Sequence, residues 1–221
     1  DALPIDAIKA LLDQSGKFSD ILHITKETDS ASVKSQIADF VKKHQNSEVD
    51  DAIFYFSGHG DFSGADFSFI MSDYDSSKKN KTSLSNDELD GMIRSLKPAI
   101  YVKVVDACQS GITYIKESDA FPEYLKSTEN RFSNLYFMFS SKNDQLSYAS
   151  AHLSHFTKSF LEAATVRPDG TVRYKDVMDG IRDAFSSATS KQTPYFVTQA
   201  DHTDEFIELD ERIRAAISQY L

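Results

Sequence analysis

Two stretches decide the fold: Ala52-Ile53-Phe54-Tyr55-Phe56-Ser57-Gly58-His59-Gly60, and Ile100-Tyr101-Val102-Lys103-Val104-Val105-Asp106-Ala107-Cys108-Gln109-Ser110-Gly111. Each begins as an almost continuous apolar run. Such a run fits a strand buried on both faces, as in a parallel sheet. Each then runs directly into a short polar motif that ends in glycine. Ligand sites in open α/β sheets lie beyond the carboxyl ends of the strands. A histidine and the chain's single cysteine are therefore expected at the same end of neighbouring strands.

Helical patterns separate these strands. Leu3, Ile8, Leu11 and Leu12 recur at helical spacing, and Gly16 stops that helix. Asp20–Thr25 alternates and predicts a short strand. Val33, Ile37, Phe40 and Val41 mark a second helix. Phe67–Met71 reads as a hairpin piece and residues 77–81 as a polar loop. Ser85 and Glu88 form a capping box ahead of Leu89, Met92, Ile93 and Leu96, and Pro98 closes that helix. Leu135–Phe139 is a third apolar strand. Leu153, Phe156, Phe160 and Leu161 mark a helix, Asp169-Gly170 a turn, and Val177, Ile181 and Phe185 another helix. Tyr195–Thr198 and Phe206–Leu209 are short late strands, and Asp210–Leu221 is helical in pattern. Alternating strands and helices predict right-handed βαβ units: an α/β sandwich of three layers with a mostly parallel central sheet. Residues 112–132 lack any period. They predict a long, exposed, mobile loop, and loops of that length tend to be functional or disordered.

The 221 residues suit one domain with a real core, residues 1–221, and no internal repeat or second domain is visible. A net charge of −10 is the reverse of a general nucleic-acid binder. One cysteine cannot make an internal disulfide, no apolar run is long enough to span a membrane, and no signal peptide opens the sequence. A reducing, cytoplasmic setting is the default expectation. The start at Asp1 rather than Met suggests a piece of a longer chain.

A thiol needs a partner to act as a nucleophile at neutral pH. His59 can take the proton of Cys108 or stabilise its thiolate, and can later protonate a leaving amine. The backbone N–H groups of Gly60 and Cys108 are candidate oxyanion donors. The flanking glycines would allow tight turns and close approach of a substrate backbone. Taken singly, a cysteine after a strand is more often a small buried hydrophobe, and a histidine in a glycine-rich turn is more often structural. The joint pattern favours chemistry.

Ser57-Gly58-His59-Gly60 and Asp106-Ala107-Cys108-Gln109-Ser110-Gly111 resemble the His and Cys motifs of the caspase-like clan of cysteine peptidases. The 49-residue separation of His59 and Cys108 is similar to the caspase spacing of about 50. The Cys motif is closer to bacterial caspase-like proteins and metacaspases than to animal caspases, because Asp106 stands two residues before the cysteine. Ser141 to Ala164 is similar to the family's strand-to-helix segment, and Gln192-Thr193-Pro194 to a late strand start. Asp1-Ala2 is similar to the end of the family's Asn-Asp-Ala helix start. The family's first strand, with its Gly and Tyr, should precede that helix and has no counterpart in this sequence.

The resemblance implies a cysteine endopeptidase (hydrolase) using a Cys108–His59 dyad on protein or peptide substrates. It also implies an S1 pocket lined by Asp106, Ser57 and Asp1, hence cleavage after Arg or Lys. Self-processing in the 112–132 loop would fall after Lys116, Lys126 or Arg131. The family context suggests regulated cell death or antiviral defence, with an activator partner or a further domain beyond the 210–221 helix. No cofactor is expected. Asp73 and Asp75 could take calcium, as some metacaspases require, but their spacing is not an EF-hand and an ordinary solvated turn fits better. His152 and His155 have metal-like spacing with no completing ligands nearby. The rival readings are a non-catalytic caspase-like interaction module, a peptidase with non-basic preference, and an acyltransferase built on the same dyad.

Overall fold

The computed structural model describes residues 3–63, 66–109, 132–140, 153–187 and 193–221; for Phe62, Ser63, Asp66, Cys108 and Gln109 it describes the backbone. The elements are helices α1 (Pro4–Ser15) and α2 (Ser30–His44), strands β1 (Asp51–Ser63) and β2 (Asp66–Ile70), a 3-10 helix (Ser76–Lys81), β3 (Ser83–Ser85), α3 (Asn86–Ser95), β4 (Ile100–Gln109) and β5 (Leu135–Phe139). They continue with α4 (His155–Thr165), β6 (Gly170–Arg173), α5 (Tyr174–Ser187), β7 (Tyr195–Gln199), β8 (Glu205–Leu209) and α6 (Glu211–Ser218).

Six strands form the central sheet in the order β3-β2-β1-β4-β5-β7. β1, β4 and β5 pair in parallel, and the β1–β2, β2–β3 and β5–β7 pairs are antiparallel. Strands β3, β1, β4 and β5 therefore run one way, and β2 and β7 run against them. Successive side chains on each strand feed two cores. Val102, Val104, Tyr136 and Met138 pack under α1, α4, α5 and α6, through residues such as Leu11, Phe160, Ile181 and Ile217. Val105, Ala107, Phe137 and Phe139 pack under α2 and α3, through Val33, Ile37 and Leu89. This is the three-layer arrangement the sequence predicts.

Local signals act where expected. Gly16 ends α1 in the left-handed conformation, at φ 66°, where a side chain would be strained. Ser85 Oγ accepts the Glu88 N–H at 3.1 Å, and the Glu88 carboxylate accepts the Ser85 N–H at 3.0 Å, completing the capping box of α3. Residues 77–81, read as a loop, belong to the 3-10 helix, whose first turn is capped by Asp75 Oδ1 accepting the Ser77 N–H at 2.9 Å.

Two expectations fail along the same edge of the sheet. Asp20–Thr25 is not a strand, and β1 is not buried on both faces: Ala52 to Phe56 are each only partly buried. Among the described residues, β1 pairs with β4 over Asp51–Gly60 but with β2 only over His59–Ser63. Its other edge is open along the lower half. A groove of about 870 Å³ lies there, between α1 and α2, bordered by Leu22, His23 and Ile24 on one side and Phe54 and Tyr55 on the other. Among the described residues Asp20–Thr25 has no strand beside it, and an alternating sequence needs a ladder to join. β8 pairs with β6 in a separate two-stranded sheet, and β6 begins at the predicted 169–170 turn.

The middle of β4 carries a charge. Lys103 is fully buried, and its Nζ lies 2.6 Å from Asp90 Oδ1 and 2.6 Å from Asn86 Oδ1, both on α3. Tyr101 and Asn86 also reach the Asp90 carboxylate. Removing one member of such a pair strands the other charge in the core. Asp90→Ala is expected to lose about 3–5 kcal/mol of unfolding free energy in urea titrations. A loss below about 1 kcal/mol would show that the pair does not hold α3 to the sheet.

Candidate active site

The His motif lies inside a strand, and so does the described part of the Cys motif, Asp106–Gln109. Ser57 to Gly60 belong to β1, and Asp106 to Gln109 to β4. The parallel register pairs Ser57 with Asp106 and His59 with Cys108. Neighbouring strands lie about 4.8 Å apart, so the His59 and Cys108 backbones are adjacent at the carboxyl end of the sheet. Ser57 and His59 have the parity of Ile53 and Tyr55, and positions 106 and 108 that of Val102 and Val104. All four positions thus belong to the face covered by α1, α4, α5 and α6. Ser57 and His59 are exposed; Asp106, one step inward, is 7% exposed.

The glycines of the His motif do not make turns. A Cβ on Gly60 would stand 2.2 Å from the ring of Phe67, and one on Gly58 would stand 2.8 Å from the ring of Phe56. Their work is to let aromatic rings lie across the strand. Gly60 is buried and paired on both sides, with Gln109 of β4 and Phe69 of β2.

Asp106 is the most unusual group of the site. Its Oδ2 accepts the Ser154 hydroxyl and, at 2.5 Å, the Thr157 hydroxyl. Ser140, just past β5, adds a further hydroxyl bond. Burial pushes its pKa above the ordinary carboxylate range, and the Ser154, Thr157 and Ser140 hydroxyls pull it back only in part. Ser154 is also the N-cap of α4, its Oγ accepting the Thr157 N–H at 2.9 Å. The end of β4 is thereby tied to the start of α4. Tyr55, on β1, reaches the same cluster: its OH lies 2.6 Å from Thr157 Oγ1. Burial, and then the Asp106 charge, hold its phenol well above its usual pKa. Sequence reading named Asp106 but missed Tyr55, Ser154 and Thr157. The only signal for Ser154 was a capping serine ahead of a helix.

Other expected site residues stand elsewhere or lie outside the described residues. Asp1, Lys116, Lys126, Arg131 and His152 are outside them. Asp73 Oδ1 accepts the Ser30 N–H at 2.8 Å, and Asp75 caps the 3-10 helix, so both carboxylates hold backbone turns. His155 packs at a tilt against Phe185, with ring centroids 4.4 Å apart. Among the described residues, no group of three His, Cys, Asp or Glu side chains is arranged for a metal. Among the same residues, no helix is long and apolar enough to cross a membrane.

A three-layer α/β fold with His and Cys motifs side by side at the strand ends defines the class, and comparison supplies the family. The family model described as the caspase domain matches residues 5–206. The chain belongs to this family, whose members are cysteine peptidases acting on proteins. A search of curated proteins finds no match. Among solved structures, a Geobacter sulfurreducens protein known from its crystal structure is similar in fold. The TM-score is 0.54 at 18% identity, over 90% of this chain and 84% of that one.

Proposed function

We propose that this chain is a cysteine endopeptidase in which Cys108 is the nucleophile and His59 its acid–base partner. The observation that carries the reading is the in-register pairing of His59 with Cys108 on adjacent parallel strands. The Cys108 thiolate attacks the scissile carbonyl carbon, forming a C–S bond and an oxyanion. The backbone N–H groups of Gly60 and Cys108 are the proposed oxyanion donors. Collapse breaks the C–N bond, and the imidazolium of His59 protonates the leaving amine. His59 then takes a proton from water, whose oxygen attacks the acyl carbon and releases the thiolate. The chemistry needs no cofactor.

Asp106, with Ser57 beside it and Asp1 at the chain start, is the proposed S1 floor for Arg or Lys. A buried carboxylate whose described donors are all neutral hydroxyls gains most from a cationic partner. Self-processing would follow from the same specificity, after Lys116, Lys126 or Arg131. The family context of regulated cell death or antiviral defence is the setting we propose for it.

Peptide-library cleavage tests the specificity. Substrates with Arg or Lys at P1 should be cut faster than those with Asp or Leu, and Asp106→Ala should remove most of that preference. Faster cutting after Leu or Asp in the wild type contradicts the pocket assignment, and unchanged activity in Cys108→Ala contradicts the dyad. Incubation followed by mass spectrometry tests self-processing. Nicks after one of the three basic residues, absent from Cys108→Ala, support it; an intact 112–132 segment in a fully active enzyme rejects it.

A further inference from the structure

The hydroxyls around Asp106 have a fixed direction. Thr157 Oγ1 has one proton, which it gives to Asp106 Oδ2. It must therefore accept from Tyr55, whose OH lies 2.6 Å away. Ser154 Oγ likewise accepts the Thr157 N–H at 2.9 Å and gives its own proton to the same carboxylate oxygen. Thr157 thus feeds Asp106 twice, once through its side chain and once through its backbone. Two donor chains converge on one oxygen, each polarised by a donor behind it, and such chains strengthen their members. Two hydroxyl donors on one carboxylate oxygen favour the ionised form over the neutral acid.

We infer that Thr157, backed by Tyr55, is a positioning residue for substrate specificity: it holds the Asp106 carboxylate ionised and oriented for a cationic P1 side chain. The inference rests on the S1 reading of Asp106 given above. Thr157 touches the carboxylate and not the reacting atoms, so its effect falls on substrate binding. Burial favours the neutral acid, and the Thr157 hydroxyl opposes burial. Loss of that hydroxyl lets Asp106 protonate at a higher pH. As pH falls, the pocket then loses its charge earlier, and KM for a basic substrate rises earlier.

The titratable groups facing this carboxylate from the described elements are few. Tyr55 comes from β1, and His59 lies further along the same strand. β4 continues to Cys108. From behind β5 and from α4 come only the hydroxyls of Ser140, Ser154 and Thr157. On α4, Lys158 pairs with Glu162 in solvent, and His155 packs at a tilt against Phe185 from α5. His59 and Cys108 are common to every variant below, so differences between variants report on Asp106.

The test compares wild type, Thr157→Val, Thr157→Ser and Tyr55→Phe on matched peptides with Arg or Leu at P1. Thr157→Val keeps the shape and removes the hydroxyl. It should raise KM for the Arg peptide about tenfold with kcat within about twofold, as expected for losing a hydrogen bond to a charged group. Its acid limb of kcat/KM should move to higher pH, with the Leu peptide unaffected. Thr157→Ser should restore both, and Tyr55→Phe should shift the limb in the same direction by less. If Thr157→Val does not fold, as judged by circular dichroism, Tyr55→Phe and Thr157→Ser carry the test: a wild-type limb in Tyr55→Phe overturns the inference. An unchanged KM and limb in folded Thr157→Val also overturns it. If the wild type shows no preference for Arg over Leu, the S1 reading of Asp106 fails instead, and this inference fails with it.

Discussion

The parallel pairing of β1 with β4 is the constraint on which the rest depends. Its register runs unbroken from Asp51 opposite Ile100 to Gly60 opposite Gln109. A slip of one residue would send every side chain of one strand to the wrong face. The apolar half of β4 resists that slip: Tyr101, Val102, Val104 and Val105 are at most 1% exposed, in two different cores. Packing in the lower half of the ladder therefore sets where Ser57, His59, Asp106 and Cys108 stand in the upper half. The bulky rings of Phe56 and Phe67 are admitted by Gly58 and Gly60, so the His motif is also part of this packing.

Two buried charges on β4 are handled in opposite ways. Lys103 faces α3 and is matched by the Asp90 carboxylate, with Asn86 and Tyr101 completing the cluster. That pair is closed, with both partners fully buried. Asp106, three residues on and facing the other layer, is met by hydroxyls from Ser154, Thr157 and Ser140. Neutral donors stabilise a carboxylate less than a cation does, which is why burial still raises its pKa. The first arrangement welds a helix to the sheet. The second leaves a buried carboxyl group held by neutral hydroxyls.

Much of this was legible locally. Ser85 with Glu88 marked the start of α3, Gly16 the end of α1, and the apolar runs at 100–105 and 135–139 the central strands. The site motifs were legible because their residue types and spacing resemble those of a family. What failed depended on partners distant in sequence. Asp20–Thr25 has strand alternation but, among the described residues, no strand beside it. Phe206–Leu209 reads as a short late strand, but nothing near it names its partner, Gly170–Arg173. Nothing around Lys103 names Asp90, and nothing near Asp106 names Thr157 or Tyr55, which lie 51 residues after and 51 before it. Hydrogen-bond networks that cross layers leave no periodic trace in the chain.

The central claim is that the β1–β4 register makes His59 the partner of Cys108. Cys108 is the sole cysteine, so its chemistry can be followed without background. The most direct measurement is the rate of Cys108 alkylation by iodoacetamide at pH 7, in wild type and in His59→Ala, with both shown folded by circular dichroism. A thiol paired with histidine is largely thiolate at neutral pH, whereas a free one is only a few per cent so. The account predicts alkylation slower by about tenfold or more in His59→Ala. Equal rates in the two proteins would contradict it.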